Sequence, residues 1–252
     1  MHTVYTAAMP SPEDIRSLLG DKYGNDPNAD LSEDIRRLEG GEPLAYVIGW
    51  IPFLDLRVHL DSRPLIPRPE TEWWTERLIQ HLGKKYGESE FSFLDLCAGS
   101  GAIGLSALKE FPNAYVTFAE LVPEHCMLIQ KNLAENNLNV SHASICESNL
   151  FSGLPKKRYD IIASNPPYVP EDRTLDRSVM DFEPSRALFS GPDGLFHIRQ
   201  IAEKAPPYVN EGGELWLECD SEHAEAARAL FGTGAELHTD QYGRPRLVVS
   251  YY

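Results

Sequence analysis

Three glycines set directly behind an apolar run constrain this chain more than any other feature. Residues 91–96 read Phe-Ser-Phe-Leu-Asp-Leu, Gly99, Gly101 and Gly104 follow, and residues 102–111 have helix-forming composition. The pattern predicts a strand, a tight turn and a helix. Glycine suits such a turn because the backbone must bend sharply and let a ligand approach where a Cβ would intrude. The free N–H groups at the helix start then favour an electronegative group. A strand-to-helix turn of this kind also occurs with no ligand, so context decides. A second apolar run, residues 115–119, ends on Glu120, about twenty residues beyond the glycines, where a nucleoside-binding α/β unit places a carboxylate for the ribose hydroxyls. Taken singly, Glu120 reads as a solvated strand-end charge.

A buried-strand pattern at residues 159–164 runs straight into Asn165-Pro166-Pro167-Tyr168-Val169-Pro170. Consecutive prolines have fixed φ and no N–H, so the Pro166 carbonyl points out of a turn with few ways to relax. Asn165 adds a side-chain carbonyl acceptor and Tyr168 a flat apolar wall. A proline-rich loop after a strand accounts for the two prolines, but not for the asparagine before them and the aromatic after.

Strand, glycine turn, acidic strand end and Asn165-Pro166-Pro167-Tyr168 together resemble class I S-adenosylmethionine-dependent methyltransferases that modify a planar amide or amino nitrogen. Three further stretches, Gly41-Glu42-Pro43-Leu44-Ala45-Tyr46, Leu65-Ile66-Pro67-Arg68-Pro69-Glu70-Thr71-Glu72 and Phe182-Glu183-Pro184, resemble the peptide chain release factor glutamine N5-methyltransferase family. The similarity spans roughly residues 40–250, and the Ile-Pro-Arg-Pro-Glu-Thr-Glu run is its most specific part. Ribosomal-protein glutamine methyltransferases share the Asn-Pro-Pro-Tyr turn but not this run.

The resemblance implies an α/β fold: a seven-stranded Rossmann-like class I methyltransferase domain with a small N-terminal helical piece and a linking β-hairpin. It implies S-adenosyl-L-methionine as methyl donor, S-adenosyl-L-homocysteine as product, and the glutamine of a release factor's Gly-Gly-Gln motif as acceptor. Donor-binding residues would be Asp95, Cys97, Ala98, Gly99, Ser100, Gly101, Glu120, Asn149, Leu150 and Asn165. Asn149 stands where this class commonly has an acid for the adenine amino group, and its oxygen can accept the same bond without charge. Leu150 reads equally as an adenine contact or as core. Asn165, Pro166, Pro167 and Tyr168 would form the catalytic turn, the Asn165 oxygen and the Pro166 carbonyl accepting the two amide hydrogens.

Along the chain, residues 1–40 read as a short helical region, residues 41–70 as a hairpin linker and residues 71–252 as the methyltransferase domain. Ser11-Pro12-Glu13-Asp14 has the cap, proline and acidic first turn of a helix start, and Leu31-Ser32-Glu33-Asp34 offers a second. Family members carry a helical N-terminal domain roughly twice as long. Alternation over residues 54–61 predicts a half-wet hairpin within residues 46–60. A helix is expected near residues 71–82 and an amphipathic one over 123–136, with a third strand at 140–145. Residues 171–187 read as an irregular loop, Gly212-Gly213 as a hairpin-like turn into a buried strand, and residues 236–238 and 246–251 as closing strands.

Composition narrows the substrate. With 38 acidic against 23 basic side chains the formal charge is −15, whereas a protein gripping a duplex through phosphates would carry a basic face. A protein substrate is therefore expected, without direct nucleic-acid binding. The competing reading, methylation of adenine N6, would use the same acceptor pair but needs base flipping and a basic path for the strand. A donor-binding protein without catalysis is the other alternative, and the intact Asn-Pro-Pro-Tyr turn argues against it. Cys97, Cys126, Cys146 and Cys219 lie far apart, so neither a disulfide framework nor a metal site is expected. No run approaches a membrane span and the N-terminus has no secretory or Arg-rich presequence pattern, so a cytoplasmic protein without membrane partner is expected. A monomer is the default expectation, although no sequence feature sets the oligomeric state.

Overall fold

The computed structural model describes residues 9–252; the first eight residues of the expected helical region lie outside the described residues. Ser11 caps helix α1 (Pro12–Ser17): its hydroxyl accepts from the Asp14 N–H, and the Asp14 carboxylate accepts from the Ser11 N–H. A π-helical turn at Leu18–Lys22, for which the sequence gives no sign, continues it. Helix α2 (Ser32–Glu39) packs through Asp34, a buried carboxylate that accepts from Lys22 Nζ and the Tyr23 hydroxyl.

The hairpin starts later than the alternation suggests. Residues 44–48 form a short helix, α3 (Leu44–Ile48), because Pro43 opens it and Gly49, at φ 95°, closes it with a left-handed cap whose N–H donates to the Ala45 carbonyl. Strands β1 (Trp50–Phe53) and β2 (Leu56–His59) then pair antiparallel, with Leu56 and Val58 buried and Arg57 exposed. Helix α4 (Pro69–Tyr86) begins two residues earlier and runs four further than expected; Trp74, Leu78 and Leu82, one turn apart, form its buried face.

The remaining elements are β3 (Phe91–Leu96), α5 (Ala102–Glu110), β4 (Ala114–Glu120), α6 (Pro123–Glu135), β5 (Ala143–Glu147), β6 (Tyr159–Ser164), α7 (Arg177–Phe182), α8 (Phe196–Lys204), β7 (Val209–Glu218), α9 (Ala224–Ala229), β8 (Glu236–Thr239) and β9 (Pro245–Tyr251). Seven of the strands make one sheet in the order β5-β4-β3-β6-β7-β9-β8, parallel except that β9 runs antiparallel to both neighbours. Both faces are covered, so the central strands are mostly apolar, with few polar residues such as Asp95 in β3. Phe93, Phe118 and Leu105 pack with Trp74 on one side, and Leu94, Leu96 and Ile162 with Ile198 and Leu217 on the other.

Three expectations shift. Residues 140–142 make a 3₁₀ turn, Asn139 accepting from the Ser141 N–H, so β5 starts only at Ala143. Gly212 and Gly213 lie inside β7, not in a turn before it. A Cβ on Gly213 would sit 2.7 Å from Val209 and 3.0 Å from the Asp160 carbonyl, so that glycine serves close approach to β6, where the pairing shifts register. Residues 171–187 are not all irregular: α7 and a 3₁₀ turn at Ser185–Ala187 lie within them.

The hairpin is fastened to α6 by two asparagines. Asn132 Oδ1 accepts from the His59 N–H at 2.8 Å and Asn136 Oδ1 from the Arg57 N–H at 3.0 Å, while their amide nitrogens donate back to the same residues' carbonyls. These side chains continue the ladder along the open edge of β2. Asn132 also donates to the Ser100 carbonyl at 3.0 Å, tying hairpin to glycine turn.

Candidate active site

The parallel strands β3, β4, β5 and β6 end at one rim, the usual ligand edge of an open α/β sheet, and a cleft lies there. It measures about 940 Å³ including its open mouth, and its wall includes Cys97, Ala98, Gly99, Ser100, Glu120, Asn149, Leu150, Asn165 and Pro167. Asp95, Gly101, Pro166 and Tyr168 are not part of that wall.

The turn after β3 is built from backbone. Cys97, Gly99 and Gly101 all adopt positive φ, at 61°, 57° and 84°. The Gly99 N–H donates to Glu120 Oε2 at 2.7 Å, and the Val122 N–H to Oε1 at 2.9 Å, which fixes this nearly buried carboxylate against the turn. A Cβ on Gly99 would meet nothing within 4 Å, so the space beside it belongs to the cleft. Gly104 has another role: a Cβ there would fall 2.4 Å from the Phe118 ring and 3.0 Å from Asp95 Oδ2, so α5 can press on the sheet only without one.

Asp95 sits beneath the turn. Its Oδ2 accepts from the Gly104 N–H at 2.8 Å, and its buried Oδ1 has no hydrogen-bond partner among the described residues. Burial pushes its carboxyl up to about 8, against the pull of that N–H and with the help of nearby Glu120. The Cys97 thiol is pushed up to about 12, chiefly by burial, so it is no thiolate at neutral pH. At the β5 end the Ser148 N–H donates to the Glu120 carbonyl at 2.8 Å, setting Asn149, exposed, and Leu150, buried, on the wall.

The elbow after β6 is held by side chains from elsewhere. Asn165 Nδ2 donates to Thr71 Oγ1 at 3.0 Å, while its Oδ1 is buried with no partner among the described residues. The Thr71 hydroxyl donates in turn to Glu218 Oε2 at 2.6 Å, Trp74 Nε1 donates to the same oxygen at 2.7 Å, and the Tyr168 hydroxyl donates to Oε1 at 2.8 Å. Glu218 ends β7 fully buried; burial pushes its carboxyl pKa up, against these three donors. Burial and the Glu218 charge hold the Tyr168 phenol well above its ordinary value. Sequence reasoning missed both Thr71 and Glu218. An acid closing an apolar strand was the available signal for Glu218, the same one that marked Glu120.

Two motif segments meet over the cleft mouth. Arg68 donates to Glu183 Oε1 at 2.6 Å and the Ile66 N–H to Oε2 at 3.0 Å, with the Glu183 side chain only 1% exposed. This latch places Leu65 and Pro67 on one side of the opening and Pro184, Arg186 and Ala187 on the other. Beside them His125, its Nδ1 2.7 Å from the Ser62 hydroxyl, has its pKa lowered mainly by burial. Among the described residues no three His, Cys, Asp or Glu side chains gather as a metal site. The cleft wall thus joins a fixed carboxylate and an open glycine turn to Asn165, whose buried amide oxygen has no partner among the described residues.

The methyltransferase small domain family matches residues 72–183. A release factor glutamine methyltransferase from Lactococcus lactis subsp. lactis is 32% identical in an alignment of 225 positions that covers 86% of this chain and 80% of the relative. One from Deinococcus radiodurans is 34% identical in an alignment of 265 positions, gaps included, that covers 96% of this chain and 92% of the relative. Among solved structures, a methyltransferase from Pyrococcus furiosus matches with a TM-score of 0.56 at 17% identity, over 87% of this chain and 98% of that one, a likeness of fold.

Proposed function

The chain belongs to the release factor glutamine methyltransferase family, and from that premise we propose that it methylates the side-chain amide nitrogen of the glutamine in a release factor's Gly-Gly-Gln motif, with S-adenosylmethionine as donor. The observation that carries this reading is Asn165, a residue of the cleft wall that Gly99 and Glu120 also line, whose buried Oδ1 has no hydrogen-bond partner among the described residues.

The residues present fit the donor. Glu120 would accept both ribose hydroxyls, Asn149 the adenine amino hydrogen, and Leu150 would pack on the ring. Cys97, Ala98 and Ser100 would complete the wall of the donor's site, with Asp95 and Gly101 shaping the turn behind it. When bound, S-adenosylmethionine supplies a methyl group already activated by a positive sulfur. The protein's task is therefore the acceptor, whose amide lone pair is delocalised and weakly nucleophilic. Asn165 Oδ1 and the Pro166 carbonyl would take the two amide hydrogens, fix the nitrogen toward the donor and stabilise the positive charge growing on it. Pro167 would border the amide, and Tyr168 would brace the turn from behind. The proton leaves to water once the nitrogen has become acidic.

The latch between Arg68 and Glu183 would cover the donor and shape the channel for the glutamine. Arg68→Ala should then weaken both donor and peptide binding, and unchanged affinities for both would refute that part. The reading extends to a cytoplasmic monomer that does not bind nucleic acid directly. It divides the chain into a helical region at 1–40, a linker at 41–70 and the catalytic domain at 71–252. No helix among the described residues is long and apolar enough to cross a membrane.

The deciding assay offers labelled donor to a purified release factor, to its Gly-Gly-Gln Gln→Ala variant, to a ribosomal-protein fraction and to DNA. Label on the intact factor alone is expected. Label on DNA or ribosomal protein but not on the factor would overturn the assignment.

A further inference from the structure

The Asn165 side chain could in principle face the cleft with either end of its amide. Only one end serves an arriving NH2 group, and nothing in the proline elbow itself selects it. The selection comes from a carboxylate on another strand. We propose that Glu218 is a positioning residue which, acting through the Thr71 hydroxyl, fixes the Asn165 amide with its oxygen toward the substrate. This rests on the reading of Asn165 as acceptor.

The argument is one of hydrogen count. A threonine hydroxyl has a single hydrogen to give, and that of Thr71 is given to Glu218 Oε2 at 2.6 Å. Only lone pairs are left toward Asn165, so the Asn165 group that faces Thr71 must be a donor, and Nδ2 lies there at 3.0 Å. Turning the amide over would set Oδ1 against an oxygen with no hydrogen to offer. It would also aim two N–H groups at the place where the substrate's own N–H groups arrive. Trp74 Nε1, which can only donate, reaches the same Oε2 at 2.7 Å and keeps that oxygen an acceptor.

The other carboxylate oxygen holds the far side of the elbow. Tyr168 donates to Oε1 at 2.8 Å, so one buried side chain sets both the polarity of Asn165 and the seat of the ring three residues on. A buried carboxylate, even with a cation such as Arg246 near it, is a poor device for stability, since an apolar side chain of similar volume often does as well or better. Three donors converging on it, two of them leading to the elbow, make it a device for orientation.

The test compares Thr71→Val, which keeps the shape and removes the hydroxyl, with Thr71→Ser, which keeps the hydroxyl. Thr75→Val serves as the structural control: its hydroxyl, one turn along the same helix, donates only to the Thr71 carbonyl at 2.7 Å and is also fully buried. For each, kcat is measured on a release factor at saturating donor, donor Kd by calorimetry, and Tm by scanning calorimetry. Thr71→Val should lose about 10- to 100-fold in kcat, as misplaced reacting groups do, with donor Kd nearly unchanged. Thr71→Ser should restore most of that rate. Thr75→Val should lower Tm and leave kcat alone. Glu218→Leu, which also frees the Tyr168 ring, should fall at least as far as Thr71→Val, and the double variant no further than Glu218→Leu, because both break one relay. If Thr71→Val lowers Tm but keeps wild-type kcat while Asn165→Ala is inactive, Glu218 and Thr71 are structural only and the proposal fails alone. If Asn165→Ala also keeps its rate, the reading of the acceptor fails and takes this proposal with it.

Discussion

The glycine turn and the proline elbow leave adjacent strands at the same end of the sheet, with Leu96 opposite Ser164, yet they are held by different means. The first is made locally: positive φ at Gly99 and Gly101, a Gly99 N–H on Glu120 at 2.7 Å, and a missing Cβ at Gly104. The second is locally stiff but not locally oriented. Its two working side chains are set by Thr71, 94 residues earlier, and by Glu218, 50 residues after Tyr168. A donor site can thus be encoded in one stretch of chain, while the acceptor site needs the whole fold closed before its polarity is defined.

If that division is right, damage to each side should appear in a different constant. Asn165→Ala removes an acceptor used in the transition state, and a fall in kcat of order 10²- to 10³-fold is expected, with donor Kd little changed. Steady-state kinetics beside calorimetry would show it, and a change in Kd alone would erase the distinction between the two turns. Glu120→Ala should do the reverse. Loss of even one charge-assisted bond, at about 1.5–3 kcal/mol, would weaken donor binding by about 10- to 100-fold and leave kcat at saturating donor nearly intact.

Gly104→Ala probes the local character of the glycine turn. Forcing a methyl against Phe118 should destabilise by about 1–3 kcal/mol, visible as a lower midpoint in urea unfolding. A midpoint equal to wild type would mean that α5 is free to shift.

Asp95→Asn should act on stability through its pH dependence, with little effect on donor affinity or kcat. Asp95 has its carboxyl raised to about 8 in the fold and near its ordinary value when unfolded. The folded state therefore holds the extra proton in between. Stability from this group is greatest below the unfolded value and declines as pH rises from about 4 to about 8. Asparagine stays neutral, so the slope of Tm against pH over that window should be flatter than in wild type. A slope equal to that of wild type would mean that Asp95 is ionised in the fold.

The sequence carried the local half of this picture well. Glycines behind an apolar run, an acid at the next strand end and a rigid elbow are short-range signals, and the sheet order around them follows from the βα alternation. It carried the rest poorly because that part rests on contacts between distant segments. Thr71 sat inside a recognised motif, but its partner Glu218 lay in a stretch from which no role was inferred. Arg68 and Glu183 belonged to two separately noticed runs, and only packing of the 171–187 segment shows that they pair. Asn132 and Asn136 read as ordinary helix residues because the ladder that they complete belongs to another element. The helix at residues 44–48 is hidden for a different reason: it is only five residues long, and the alternation at 54–61 does not mark where the hairpin begins after the cap at Gly49.

The most direct test is a structure of the enzyme with S-adenosylhomocysteine and a glutamine peptide bound. The account predicts the amide nitrogen about 2.7–3.2 Å from both Asn165 Oδ1 and the Pro166 carbonyl oxygen, on the side facing the sulfur. An Asn165 amide turned with its nitrogen to the peptide, or a glutamine seated away from the elbow, would contradict it.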